Sequence, residues 1–192
     1  MAITEPVPVV ATDPGYLLWA PLGSALPTNT VVGSVFTDTW PVAWLMLGAT
    51  DTGSQFSYQI QTASVDVAEF LDPIKYVTTG RAGSISFALA SIGVTNFKYA
   101  FNGGTVVTTG TTTTTMTTLT PPPAGSEVRA MIGWESLDHT ERLFCYQCLS
   151  SGQIQVQRQK GASKATIACD FMFEIPAAGI PFMYATAGLS RV

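Results

Sequence analysis

Along most of the chain apolar and polar residues alternate in short runs, the pattern of strands with one face on a core. In Gln55 to Ile60 the apolar side chains Phe56, Tyr58 and Ile60 fall on one side. In Ser84 to Leu89, Ile85, Phe87 and Leu89 alternate with Ser84, Ser86 and Ala88. Ile167, Cys169, Phe171, Phe173 and Ile175 form the clearest core row. Further short strands are expected at Trp44 to Leu47, around Val65 and Val67, and at Ile74 to Thr79, Val128 to Trp134, Arg142 to Leu149, Gln153 to Gln159 and Phe182 to Tyr184. The glycines of Gly80-Arg81-Ala82-Gly83 read as a joint between two such runs. Only Val94 to Phe101 has a helical interval, with Val94, Phe97 and Phe101 at i, i+3 and i+7 and Asn102-Gly103-Gly104 as a left-handed stop. Many short strands and one helix predict a mainly β protein, a β-sandwich or barrel with one flanking short α-helix.

Two stretches lack this pattern. Residues 1–43 carry Pro6, Pro8, Pro14, Pro21, Pro27 and Pro41 and read as an extended N-terminal arm, with short strands near Tyr16 to Ala20 and Val31 to Phe36. Residues 44–192 then read as a single domain. Within it, GTTTTTMTTLTPPP (110–123) has β-branched residues but no apolar face, so 108–124 is expected to be a Thr/Pro-rich loop. Two readings of this tract stand open: a mobile linker, or a loop that orders against another subunit.

Composition raises the question of what covers the strands' second faces. Hydrophobic residues make up 46% of the chain, but charged residues only 11%, against roughly 25% in typical soluble domains. Ser84, Ser86 and Ala88 show the result: the face turned away from the core is small and uncharged, where a wet strand usually carries Lys or Glu. Such a surface is poorly defended against association and reads as surface meant to be covered. The net charge of −4 argues against a general nucleic-acid binder, whose affinity rests on cations. MAITEPVPVVATDPGY has neither a basic n-region nor a continuous apolar h-region, and no apolar run reaches the roughly 18 residues of a membrane span, so neither secretion nor insertion is expected. Three cysteines, an odd number, fit reduced thiols better than a disulfide framework.

Candidate chemistry is sparse. His139, the only histidine, lies in WESLDHTER with Glu135, Ser136, Asp138 and Glu141, but without the strand-to-helix elbow of a nucleophilic serine, so the segment reads as a solvated hairpin tip. Cys145 and Cys148 match C-x-x-C, and Cys169 and His139 complete a zinc set on paper. Residues three apart on a strand point to opposite faces, which opposes metal binding and favours buried hydrophobes. GRAGSIS lacks the spacing of a phosphate loop. Trp19, Trp40, Trp44 and Trp134 offer a stacking platform for a sugar or a protein, or simply core packing. Arg158, Lys160 and Lys164 cluster at an expected turn, either as a solvated tip or as partners for Asp66, Glu69 and Asp72 of another copy. No catalytic, metal or cofactor residues are assigned; Asp66, Glu69, Asp72, Arg81, Arg158, Lys160 and Lys164 are the candidate inter-subunit contacts.

The run LGATDTGSQFSYQ (47–59), VDVAEFLDPIKYVTTGRAGSISFALA (65–90) and the helix ending in FNGG (101–104) resemble the major tail tube protein of long-tailed bacteriophages. VRAMIGWESLDHTERLFCYQCL, the basic RQKGASKATI and FEIPAAGIPF (128–182) are similar to the C-terminal half of that family. The resemblance implies a non-enzymatic structural subunit forming stacked hexameric rings, whose lumen passes double-stranded DNA without specific binding. It further implies a tape measure protein and tail terminator and tip proteins as partners, assembly in a host cytoplasm, and a place in the virion tail. Asp66, Glu69, Asp72, Asp138 and Glu141 become candidates for the bore. The alternative is a virion decoration or sugar/protein-binding β-sandwich module.

Overall fold

The computed structural model describes residues 15–66, 72–111, 114–151, 154, 156–157 and 165–188. In chain order the elements are β1 (Tyr16–Pro21), β2 (Val31–Val32), β3 (Val35–Phe36), β4 (Leu45–Met46), β5 (Thr50–Val65), β6 (Lys75–Leu89), α1 (Val94–Ala100), β7 (Thr105–Thr111), β8 (Thr114–Thr120), β9 (Ala130–Glu135), β10 (Glu141–Ser151), β11 (Val156–Gln157), β12 (Thr166–Phe173) and β13 (Phe182–Thr186). Nine strands form one antiparallel sheet in the order β4-β1-β9-β10-β12-β6-β5, with β11 on β12 and β13 on β10.

The sheet folds over its core at β10. One edge of β10 pairs with β9; the other is divided, Glu141 to Cys145 pairing with β13 and Cys148 to Ser151 with β12. Leu17, Ile132 and Leu143 from one half meet Ile85, Phe87, Leu89, Ile167 and Phe171 from the other in a single buried core. Phe182 on β13 touches Phe56 and Tyr58 on β5, which closes the fold on that side. The protein is thus mainly β, with one short helix beside an antiparallel sheet that encloses its own core.

The reading of 1–43 as an arm stops short of what the sheet contains. β1 is an interior strand, paired with β9 along its whole length and with β4 on its other side. Leu17 and Trp19 face the main core, while Leu18 and Ala20 join Trp44 and Met131 in a second cluster on the opposite face. Burial on both faces explains why YLLWAP reads as continuously apolar. Residues 1–14 lie outside the described residues.

Helix α1 presents Ala100, Phe97 and Tyr99 to the main core, and Tyr99 stacks on Trp19 at 4.2 Å between ring centroids. It ends as the sequence predicts, with Asn102 at φ 56° and Gly103 at φ 115°. Asn102 also does what glycine could not: its Nδ2 donates to Ser150 O and its Oδ1 accepts from Ser150 N–H, both at 2.7 Å. That pair pins the helix stop to the end of β10. Asn102→Ala is expected to cost about 2 kcal/mol, seen as a lower urea midpoint with an unchanged slope, because two part-buried backbone groups lose their partner.

Two local expectations are corrected. Gly80-Arg81-Ala82-Gly83 is no joint: β6 runs unbroken through it, with Gln59, Ile60 and Gln61 paired to Ala82, Arg81 and Gly80, and a register shift at Gln61/Thr62. Gly83 is there for closeness, since a Cβ would lie 2.5 Å from the Phe173 ring and 2.8 Å from that of Tyr58. The Thr tract is likewise no loop but half of the β7–β8 hairpin, registered from Thr105↔Thr120 to Thr111↔Thr114. Its ladder is reinforced by side chains, Thr108 Oγ1 lying 3.1 Å from Thr117 Oγ1 and Thr118 Oγ1 donating to Val107 O. β-Branched residues favour extended backbone without needing a buried face, and α1 supports the hairpin's base.

Candidate self-association surface

β5 ends the sheet, so among the described residues one of its edges has no strand partner. The strand spans 16 residues, on the order of 50 Å. From Ser54 to Val65 it contains no charged residue and no proline. Natural edges are usually shortened, charged or bent to prevent pairing; this one is long and uncharged from Ser54 to Val65, with register shifts at Thr50/Ser54 and Gln61/Thr62. Only its inner part is anchored, through Phe56 and Tyr58 against Phe173 and Phe182. Farther out the β5–β6 ribbon is exposed on both faces, and Ile60, Val65, Ile74, Tyr76 and Val77 lie open to water. A two-stranded ribbon is marginal alone, so burial of these faces would stabilise it.

The small face of β6 continues across its neighbours. Ser84, Ser86 and Ala88 pair with Met172, Asp170 and Ala168 on β12, and Ser84 and Ser86 with Ser57 and Gln55 on β5. One charge lies in this patch, Asp170, whose Oδ1 accepts from Ser86 Oγ at 2.8 Å. A shallow hollow of about 480 Å³ opens there, with Gly53, Gln55, Ala88 and Ala168 on its walls.

Of the expected contact residues, Asp66, Asp72 and Arg81 are among the described ones, all on the long hairpin. Asp66 and Asp72 are exposed at its outer end, where Ile74 N–H donates to Val65 O at 3.0 Å and Ser64 Oγ donates to Asp66 Oδ2 at 3.1 Å. Arg81 is exposed on β6 opposite Ile60, roughly 20 Å from that end, so it does not join the acids. Glu69, Arg158, Lys160 and Lys164 lie outside the described residues. The flanks of the basic segment are described: Gln157 pairs with Thr166, next to Ile167, which pairs with Leu89 at the inner end of β6. About 45 Å of strand separates this point from Asp66 and Asp72.

WESLDHTER is a hairpin turn with Leu137, Asp138 and His139 exposed at its tip, as expected, but its base is not solvated. Glu135, Ser136 and Arg142 are all buried. Arg142, 1% exposed, donates to Glu135 Oε1 at 3.2 Å, Asp38 Oδ1 at 3.0 Å and Asp38 O at 2.8 Å, and its guanidinium carbon lies 4.5 Å from the Phe36 ring centroid. Glu135 also accepts from Trp40 Nε1 and pairs with His139 Nδ1. Ser136 Oγ accepts from the amides of Thr140 and Glu141 at 3.0 Å each, which assigns it to the turn. The available signal was register: Arg142 and Phe144 fall on the same face of β10, and Phe144 packs against Trp40 and Trp44.

Burial raises the Asp38 carboxyl, but the Arg142 charge and hydrogen bonds from the Asn29 backbone outweigh it and hold the group below its ordinary value. A depressed carboxylate stabilises the fold above its unfolded value, about 3.9, and that stabilisation is lost as pH falls through the folded one. Asp138, held low by Ser136 and Thr140, and Glu174, held low by Arg129 and Gln147, act in the same direction. Urea midpoints of Asp38→Asn are therefore expected to fall less steeply than those of the parent between pH 5 and pH 2, and the difference reports Asp38.

The cysteines need one correction. Cys145 and Cys148 do not face opposite sides, because a bulge matches the step from Cys145 to Cys148 with the shorter step from Ile132 to Ala130. Both enter the main core with Cys169, and all three are free. Burial pushes the Cys169 thiol up to about 12 and Cys145 well above its ordinary value, which keeps them unreactive. Among the described residues no group of three or more His, Cys, Asp or Glu is placed to hold a metal. No helix among them is long and apolar enough to cross a membrane.

The fold and this surface define a mainly β protein in which, among the described residues, one long sheet edge has no strand partner and carries no charge from Ser54 to Val65. No family model and no curated protein matches the chain.

Proposed function

We propose that the chain is a structural subunit of a bacteriophage tail tube, in which copies close into hexameric rings that stack helically around a lumen conducting viral DNA. The observation that carries this reading is the β5–β6 ribbon: a long edge without charge from Ser54 to Val65 and two apolar-bearing faces exposed to water. The ring and its number of copies come from the resemblance of residues 47–104 and 128–182 to tail tube proteins. Lateral contacts that close a ring are heterologous, and stacking with a rotation repeats the same patches without limit.

The polarity of the subunit supports stacking. Asp66 and Asp72 end the ribbon, and the segment with Arg158, Lys160 and Lys164 joins the sheet about 45 Å away. A head-to-tail arrangement of copies would bring the acidic end of one ribbon towards the Gln157–Thr166 pair of the next, from which the basic segment departs. Net negative charge suits a duct whose cargo must not adhere. The reading as a sugar-binding module has less support: none of Trp19, Trp40, Trp44 and Trp134 is exposed, and Trp19, Trp40 and Trp44 pack against neighbouring rings. Electron microscopy of the concentrated protein is expected to show hollow filaments of uniform diameter, fewer in 1 M salt than in 0.1 M because charge attraction is screened. A species that stays monomeric at every concentration would overturn the reading.

A further inference from the structure

The chain carries three asparagines, Asn29, Asn96 and Asn102, and only Asn102 is followed by glycine. An Asn-Gly pair is the one most readily deamidated, because the following nitrogen, with no Cβ beside it, swings freely onto the side-chain carbonyl carbon. The Gly103 nitrogen gives its proton to hydroxide or buffer and bonds to Asn102 Cγ; the Cγ–Nδ2 bond breaks and ammonia leaves. Water then opens the succinimide to aspartate or isoaspartate. Water is the only reagent consumed.

The fold holds both reacting groups back. Every polar group of Asn102 is engaged: its N–H donates to Tyr99 O at 3.2 Å, its O accepts from Val128 N–H at 2.8 Å, and its side-chain amide pairs through both atoms with the backbone of the buried Ser150, at 2.7 Å each. The nucleophile is engaged too, Gly103 N–H donating to Lys98 O at 2.8 Å. Ring closure needs a free nitrogen aligned on the carbon, and attack makes Cγ tetrahedral. A flat amide paired at both ends with Ser150 gives up those bonds first, and the Gly103 proton must leave Lys98 O. What keeps the junction shut is modest. Helix α1 has 7 residues and no side-chain cap at its start, and Phe97 and Tyr99 are only partly buried against the main core. Short elements held by few contacts open locally far more often than the whole fold does.

We infer that Asn102-Gly103 is a deamidation site gated by the pin between α1 and β10, which protects it when closed and releases it when open. The product cannot close the pin again. With a carboxylate oxygen where Nδ2 was, Ser150 O faces an acceptor in place of a donor, and isoaspartate adds a methylene to a backbone held at φ 56°. Opening is therefore recorded in one direction, whatever the protein assembles into.

The folded chain and the chain in guanidinium chloride, incubated at one mildly alkaline pH, are compared by peptide mass spectrometry for acid formed at each asparagine. Asn102 is expected to deamidate faster than Asn29 and Asn96 in the denatured chain, and roughly tenfold or more slower in the folded chain than in the denatured one. Phe97→Ala, which loosens α1 from the core, is expected to raise the native rate several-fold. Equal rates at Asn102 in folded and denatured chains would overturn the gate, as would a folded Phe97→Ala chain that deamidates no faster than the parent. Should Phe97→Ala fail to fold, guanidinium below the parent's midpoint replaces it: a rising rate is expected, and a flat one overturns the gate. The one-way step is read from Asn102→Asp, whose urea midpoint is expected to fall at least as far as that of Asn102→Ala; a midpoint equal to the parent's would overturn it.

Discussion

Ser57→Lys, Gln59→Lys and Gln61→Lys together are expected to raise the concentration needed for self-association by on the order of 100-fold while leaving the isolated subunit folded. The three side chains are exposed on one face of β5, where Ser57, Gln59 and Gln61 pair with Ser84, Ala82 and Gly80. None is part of either core, so the melting temperature of the monomer should move by no more than about 2 °C. In an assembly the three lysines would sit on a face whose one described charge is Asp170, near position 57, and covering it would strip water from at least two ammonium groups with no partner. Pelleting of filaments across a concentration series measures the effect. An unchanged threshold would show that copies meet elsewhere.

Arg142→Met is expected to produce the largest loss of stability, about 3–5 kcal/mol, or on the order of 10 °C in melting temperature. The guanidinium bridges Asp38 and Glu135, and its removal leaves both carboxylates without it in a site closed by Phe36 and Trp40, Glu135 keeping only Trp40 and His139 beside it among the described residues. Adding Asp38→Asn and Glu135→Gln should restore more than half of the loss, because the uncompensated charges disappear with their partner. Calorimetry of the single and triple variants measures this. A triple variant no more stable than the single one would contradict the electrostatic account and leave lost packing of the long side chain as the cause.

How far the sequence reaches depends on whether a feature is local. Ile85, Phe87 and Leu89 alternate, and they are buried where that alternation puts them. The stop at Asn102-Gly103 follows from backbone sterics alone and is found in place. Ile167, Cys169 and Phe171 are buried as a row, but Ile175 lies past the end of β12 and is exposed. The misses share a cause, since each depends on a partner in another element of the fold. Gly80 and Gly83 look like a turn until β5 is placed beside them and Phe173 above. The threonines look like a linker until one half of the run pairs with Val106 and Val107. Arg142 looks like a surface charge until Asp38, 104 residues away, reaches it. The uncharged edge was half legible: the lack of charge from Ser54 to Val65 is a matter of composition, but its place at the margin of the sheet is topology.

Amide hydrogen exchange, compared between the dilute chain and the same chain concentrated into filaments, bears most directly on whether copies of the protein cover the β5–β6 ribbon. Slower exchange is expected for residues 55–66 and 74–82 in the filaments, most of all along the outer edge of β5, with little change in the already protected β1, β9 and β10. Filaments in which this ribbon exchanges as fast as it does in the dilute chain would contradict the account.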